Sequence, residues 1–130
     1  MDTELLNNIK ILKNFLPPMQ LEILGNCLRG EEKEAFIEIV ERLTNTINTM
    51  PKTYEQDGKG NKAIAYLHYF KGGIDWHITE KDMEEEQLQA FGQVDLGYGP
   101  ELGYISIEEL KENNIELDFY FTPKTIAELN

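Results

Sequence analysis

A chain of 130 residues with 41% hydrophobic and 10% aromatic side chains has enough apolar surface to close one folded core, which excludes a disordered class. Its formal charge of −12 excludes an electrostatic grip on nucleic acid, whose phosphates are held by Lys and Arg. No run approaches the roughly 18 apolar residues needed to cross a bilayer, so no membrane role is expected.

The first fifty residues are predicted to be helical. Asp2 can cap a helix in which Leu5, Ile9, Leu12 and Leu16 recur at helical spacing. Pro17-Pro18 ends it, and Pro18 can open a second short helix carrying Leu21, Leu24 and Leu28. Gly30 is a natural stop. The third helix has the clearest period, with Phe36, Ile39, Val40, Leu43 and Ile47 in one stripe. Glu31, Glu32 and Glu34 are expected in its first turn, where acids complement the helix dipole. Residues 1–50 thus form a three-helix unit with one face to bury.

Residues 51–61 hold turn formers and charges without apolar period, the composition of a linker. Asp57-Gly58-Lys59-Gly60 lacks the spacing and the following Ser or Thr of a phosphate-binding loop. From residue 62 the pattern changes to strand. Ala63 to Phe70 is apolar and aromatic on both alternating faces, as a central strand covered twice should be. Gly72-Gly73 supplies a hairpin turn, and Asp75 to Lys81 is the return strand. Lys81 to Glu86 reads as a charged connection, one helical turn long, and Gln87 to Asp95 as a third strand. Gly92 within that strand predicts a bulge or a close backbone approach. Gly97 to Pro100 is a turn, Leu102 to Ile105 a short strand, and Ser106-Ile107-Glu108-Glu109 a capping box that opens a short helix. Ile115 to Phe121 alternates as a half-buried strand, and Thr122-Pro123 leads a last helical turn holding Ile126 and Leu129. The expected class is α+β: an N-terminal three-helix unit (1–50), a linker (51–61) and a small, mainly antiparallel sheet with one short helix (62–130).

Charge is divided unevenly. Residues 1–74 carry ten acids and nine bases, whereas residues 75–118 carry thirteen acids and only Lys81 and Lys111. Such a field attracts a basic protein surface. Within it, Asp75, Trp76, Thr79, Glu80, Asp82, Asp95, Glu101 and Tyr104 are the candidate recognition surface. Simple strand alternation puts Glu80 on the face of Trp76 and Ile78. His68 and His77 lie symmetrically about the Gly-Gly turn and could meet across the hairpin. With Asp75, Glu80 or Asp95 they compose a conceivable two-histidine, one-carboxylate site. No diagnostic ligand spacing accompanies them, and no metal or cofactor is expected. The N-terminus, Met1-Asp2-Thr3-Glu4, lacks the basic start and apolar run of a signal peptide, and a lone Cys27 suits a reducing compartment; a cytoplasmic location is expected.

Three stretches together carry a resemblance. They are Tyr69-Phe70-Lys71-Gly72-Gly73-Ile74-Asp75-Trp76-His77-Ile78-Thr79-Glu80; Gln89-Ala90-Phe91-Gly92 leading to Glu101-Leu102-Gly103-Tyr104-Ile105-Ser106-Ile107-Glu108-Glu109-Leu110; and Leu117-Asp118-Phe119-Tyr120-Phe121-Thr122-Pro123-Lys124. Over residues 62–130 the chain resembles a bacterial family of unknown function carried on plasmids, conjugative elements and phages, often near antirestriction proteins. His77 stands where that pattern usually has Tyr or another aromatic. The resemblance implies a small α+β fold and a mobile-element setting, and carries no activity. The leading expectation is a non-enzymatic, protein-binding inhibitor of a nucleic-acid-handling defence enzyme. Two alternatives stand beside it: a metal-dependent hydrolase using Asp75, Glu80 and His77, and an oligomerisation module in which the N-terminal helices pair as a homodimer.

Overall fold

The fold, a computed structural model, describes residues 2–82 and 89–130. The expected helical turn after Lys81 and the expected strand start at Gln87 lie outside the described residues. Three helices precede an antiparallel sheet with further short helices, a mixed α+β architecture.

Helix α1 (Thr3–Lys13) starts where the Asp2 carboxylate accepts the Leu5 amide proton at 2.7 Å. Pro17-Pro18 breaks the chain, and α2 (Pro18–Cys27) begins on Pro18. Helix α3 (Lys33–Thr49) buries Ile39, Val40, Leu43 and Ile47, as its period requires. Its acids sit differently from the reading: Glu32 is the cap residue and only Glu34 lies in the first turn.

The main sheet has the order β5-β4-β3-β2-β6, with every neighbouring pair antiparallel. Its strands are β2 (Leu67–Lys71), β3 (Ile74–Lys81), β4 (Gln89–Asp95), β5 (Pro100–Ser106) and β6 (Glu116–Leu117). Ahead of them, the two-residue β1 (Ile64–Ala65) pairs with β7 (Lys124–Thr125) near the C-terminus. Of the two hairpin glycines, Gly72 alone takes positive φ, as a turn with glycine at its first central position needs. Helix α4 (Ile107–Glu112) opens on Ser106, whose hydroxyl accepts the Glu109 amide proton at 3.2 Å.

One face of the sheet carries the helices. Leu12, Leu16, Leu24, Val40 and Leu43 pack with Leu67, Tyr69, Ile78, Ile107 and Leu117 in a single cluster. Each such side chain contributes about 1.5–3 kcal/mol by leaving water. Tyr69 is wholly buried there and donates its hydroxyl proton to the Phe15 carbonyl at 2.6 Å. The opposite, outer face is covered by the returning C-terminus, through Ala63, Ala65, Phe121 and Ile126.

Two departures from the reading shape that outer face. The expected strand Ile115–Phe121 forms a ladder only at Glu116 and Leu117. At Asp118 the side chain accepts the Tyr120 amide proton at 2.9 Å, and this turn lifts the chain off the sheet. The Arg42 guanidinium on α3 then holds the Phe119 and Phe121 carbonyls. The last helix, α5 (Ile126–Leu129), is opened by a capping box of Thr125 and Glu128, later than the expected Thr122-Pro123.

Two buried glutamines act as surrogate strands. The Gln20 amide receives the Leu117 N–H at 2.9 Å and donates to the Leu117 carbonyl at 2.7 Å, closing the β6 edge of the sheet. Gln56 does the same to Ile64, at 2.7 and 2.9 Å, and reaches the Thr79 carbonyl at 2.8 Å. Gln56 belongs to the segment read as a linker. That segment runs against β3, with the Thr53 amide bonded to the Lys81 carbonyl at 2.8 Å.

Two glycines that face each other give a paired test. A Cβ on Gly92 would lie 1.9 Å from the His77 carbonyl oxygen, whereas one on Gly103 would meet nothing within 4 Å. Gly92→Ala should therefore lower stability by about 3 kcal/mol or more, and Gly103→Ala by about 0.5 kcal/mol at most, in chemical denaturation. Gln20→Met leaves both backbone groups of Leu117 without their partner and should cost about 2–3 kcal/mol in the same assay.

Candidate functional site

The polar side chains of β3 that bear chemistry, Asp75, His77 and Glu80, lie on its outer face, and a β-bulge puts Glu80 there. Ile78 pairs with Gly92, but the next partner of β4, Phe91, stands opposite Glu80 rather than Thr79. Thr79 is the extra residue, its hydroxyl bonded to the Phe91 carbonyl at 3.1 Å. The bulge reverses the parity of the strand. Glu80 shares the face of Phe91, away from Trp76 and Ile78, which corrects its expected placement. Gly92 answers the expectation of a bulge and of a close approach together.

Glu80 is nevertheless buried, with 4% of its surface exposed. Its carboxylate accepts from the Gln56 backbone amide at 3.2 Å and lies 3.3 Å from the Thr79 hydroxyl, whose one proton is shared with the Phe91 carbonyl. Above it lies a cleft of about 150 Å³ between the β3–β4 face and residues 53–60. Tyr54 and Tyr104 join at the surface, hydroxyl to hydroxyl at 2.8 Å. The hydrogen bond to Tyr54, with some burial and the nearby carboxylates of Glu80 and Asp57, raises the Tyr104 phenol above its ordinary range. Tyr54 holds φ at 78°, a conformation that side chains other than glycine rarely adopt.

A second cluster lies nearer the hairpin turn. His68 and His77 are cross-strand partners, as their symmetry about Gly72-Gly73 suggested, and their rings stack 4.4 Å apart at 8°. His68 sits between two carboxylates: Nε2 meets Asp75 at 2.7 Å and Nδ1 meets Asp118 at 3.0 Å. A neutral imidazole has one N–H, so only the protonated ring donates to both. Phe121 closes over the pair, 5.6 Å from each ring. Burial, reinforced by His68, pushes the His77 imidazole down to about 4, against the opposing pull of Asp75. Stacked rings aim their nitrogens along parallel planes, and His68 has both nitrogens engaged, so the pair does not converge on one metal position. Among the described residues no group of three or more His, Cys, Asp or Glu is arranged to hold a metal.

The remaining candidates are dispersed. Asp75 and Asp95 face each other across β3 and β4. The first is held by His68, and the second accepts the Gly97 amide proton at 2.8 Å. Trp76 turns inward and packs half-buried on the main core. Asp82 borders a cavity of about 410 Å³ between the helices and the sheet, which is lined mainly by core side chains such as Phe15, Met50 and Leu67. Glu101 and Tyr104 are exposed on β5, at the edge of the sheet. Sequence reasoning missed Gln56, Tyr54, Asp118 and Phe121. The Asp118–His68 contact spans 50 residues, and no local pattern signals it.

Residues 38–126 match the family described as "Protein of unknown function (DUF2958)", and the chain belongs to that family. The match begins within α3, well before residue 62, where the resemblance read from the sequence began. No curated protein and no solved structure matches the chain.

The depressed His77 gives a pH test. The unfolded chain takes up the proton near pH 6.5 and the folded one near 4, so this contribution is complete above about pH 6.5 and is lost as pH falls toward 4. With the ring partly exposed, it amounts to about 1–2 kcal/mol. His77→Phe keeps the ring against Phe121 and should remove that share of the acid-induced fall in stability. Thermal denaturation of both proteins from pH 7 to 4 measures it, against the background of His68, Asp75, Asp118 and Lys124 around the ring.

Proposed function

We propose that this family member is a non-enzymatic accessory protein that binds a basic protein surface through the exposed β4–β5 hairpin. In a mobile-element setting the target would be a nucleic-acid-handling defence enzyme of the host, and the protein its inhibitor. The carrying observation is the make-up of that hairpin. Leu96, Tyr98, Leu102 and Tyr104 are all exposed there, Tyr98 at 97%, among Asp95 and Glu101. Aromatic and aliphatic side chains interleaved with one sign of charge suit a protein interface, and β5 offers a strand edge that is unpaired among the described residues. The thirteen acids of residues 75–118, against two lysines, give this stretch of the chain the sign to draw in a surface that otherwise holds phosphates.

The hydrolase alternative fares less well. It needs the carboxylates of Asp75 and Glu80 in one constellation, but Asp75 is engaged with His68 while Glu80 is engaged with Gln56 and Thr79. The bulge separates the two networks. The oligomerisation alternative draws less support, because the α3 stripe of Ile39, Val40, Leu43 and Ile47 is buried within this chain, leaving Leu6, Met19 and Ile23 exposed on α1 and α2.

Purified protein mixed with a panel of restriction endonucleases and other DNA-processing enzymes tests the proposal. Inhibition of DNA cleavage is expected at about 50 mM salt and should weaken steeply toward about 300 mM. Asp95→Lys with Glu101→Lys should weaken it by about tenfold or more. An unaltered inhibition constant in that double variant, or no inhibition of any enzyme in the panel at low salt, overturns the proposal.

A further inference from the structure

Glu80 is a buried carboxylate that meets only neutral donors, the Gln56 amide at 3.2 Å and, at 3.3 Å, the Thr79 hydroxyl whose one proton also faces the Phe91 carbonyl; both contacts are longer than charge-assisted bonds usually are. Buried carboxylates are ordinarily paired with a cation. The ion pairs of His68 with Asp75 and Asp118, and of Lys111 with Glu108, do not include Glu80.

The cleft over Glu80 supplies the rest of a site. Exposure separates its floor from its mouth: Gln56, Thr79 and Glu80 are 5%, 2% and 4% exposed, while Tyr54 and Leu102 are 63% and 57% exposed. Phe91 lines the space between them. The volume of about 150 Å³ is below the roughly 300 Å³ at which small-molecule pockets begin, and is on the scale of a single side chain. A carboxylate at the floor and Asp57 on the wall exclude an anion. Apolar and aromatic walls suit an alkyl stem, and tyrosine and phenylalanine faces attract a cation.

We infer that this cleft receives one lysine or arginine side chain of the bound protein, with the alkyl stem between Tyr54, Phe91 and Leu102 and the cationic head on Glu80. The inference rests on the protein-binding reading and gives it an anchor. Only the cleft, not the hairpin, defines the residue it captures.

Amide chemical-shift titration of the whole protein provides the test, with the Nα-acetyl methylamides of lysine, arginine and norleucine as probes. The lysine or arginine probe should shift the amides of Gln56, Thr79, Glu80 and Phe91 with a dissociation constant of about 1–10 mM, and the uncharged norleucine probe should not. Glu80→Gln keeps the shape of the side chain and should weaken the cationic probe by about tenfold or more. Leu102→Ser, at an exposed position, should weaken it without disturbing the fold. No shifts up to about 50 mM, equal shifts with norleucine, or unaltered binding in both variants overturns the inference. The two readings fail separately. A silent cleft in a protein that still inhibits an enzyme removes the anchor alone, and a responsive cleft in a protein that inhibits nothing removes the inhibitor reading alone.

Discussion

The close passage of the Gly92 backbone against the His77 carbonyl is the constraint on which the outer face depends. It accompanies the extra residue Thr79 in β3, and a side chain on the facing Gly92 would collide with the His77 carbonyl. Without the bulge, Glu80 would point toward Ile78 and the helices and bury a charge in the apolar cluster. With it, one strand presents Trp76 and Ile78 to the core, and then Glu80 to a cleft on the opposite side. Thr79 compensates for the interrupted ladder by sending its hydroxyl to the Phe91 carbonyl. A single residue of insertion thus separates the packing role of β3 from its polar one.

Two side-chain amides hold the periphery in the same spirit. Gln20 completes Leu117 and Gln56 completes Ile64, each using its acceptor and its donor as a neighbouring strand would. Both are buried, so their bonds face little competition from water, and an unmade bond there would carry a full desolvation penalty. Gln20 thereby fixes α2 against the sheet, and Gln56 fixes residues 53–60 over Glu80. The roof of the cleft is set by the same side chain whose backbone amide binds its floor.

Elements whose cause is local were legible in the sequence. The proline break, the α3 stripe, the Gly-Gly hairpin and the Ser106 cap follow from spacing within a few residues. The pairing of His68 with His77 follows from the turn alone. Gly92 signalled the bulge, yet alternation applied across that bulge assigned Glu80 to the wrong face, because one inserted residue reverses every side chain beyond it. The sites themselves were less legible. Asp118 reaches His68 only because the chain turns off the sheet, and Gln56 sits in a stretch whose glycines and charges read as a connection. Such contacts belong to the tertiary fold, and the candidate surface divided between two faces for that reason.

The two margins of the sheet are unlike. At β6 the outward backbone groups of Leu117 are occupied by Gln20, whereas β5 ends the sheet with no further strand beside it among the described residues. A sheet sealed on one side can be lengthened only on the other. Two copies meeting strand to strand would use up each other's free margin and stop there, with two-fold symmetry, so this architecture is protected against growing into an open ribbon.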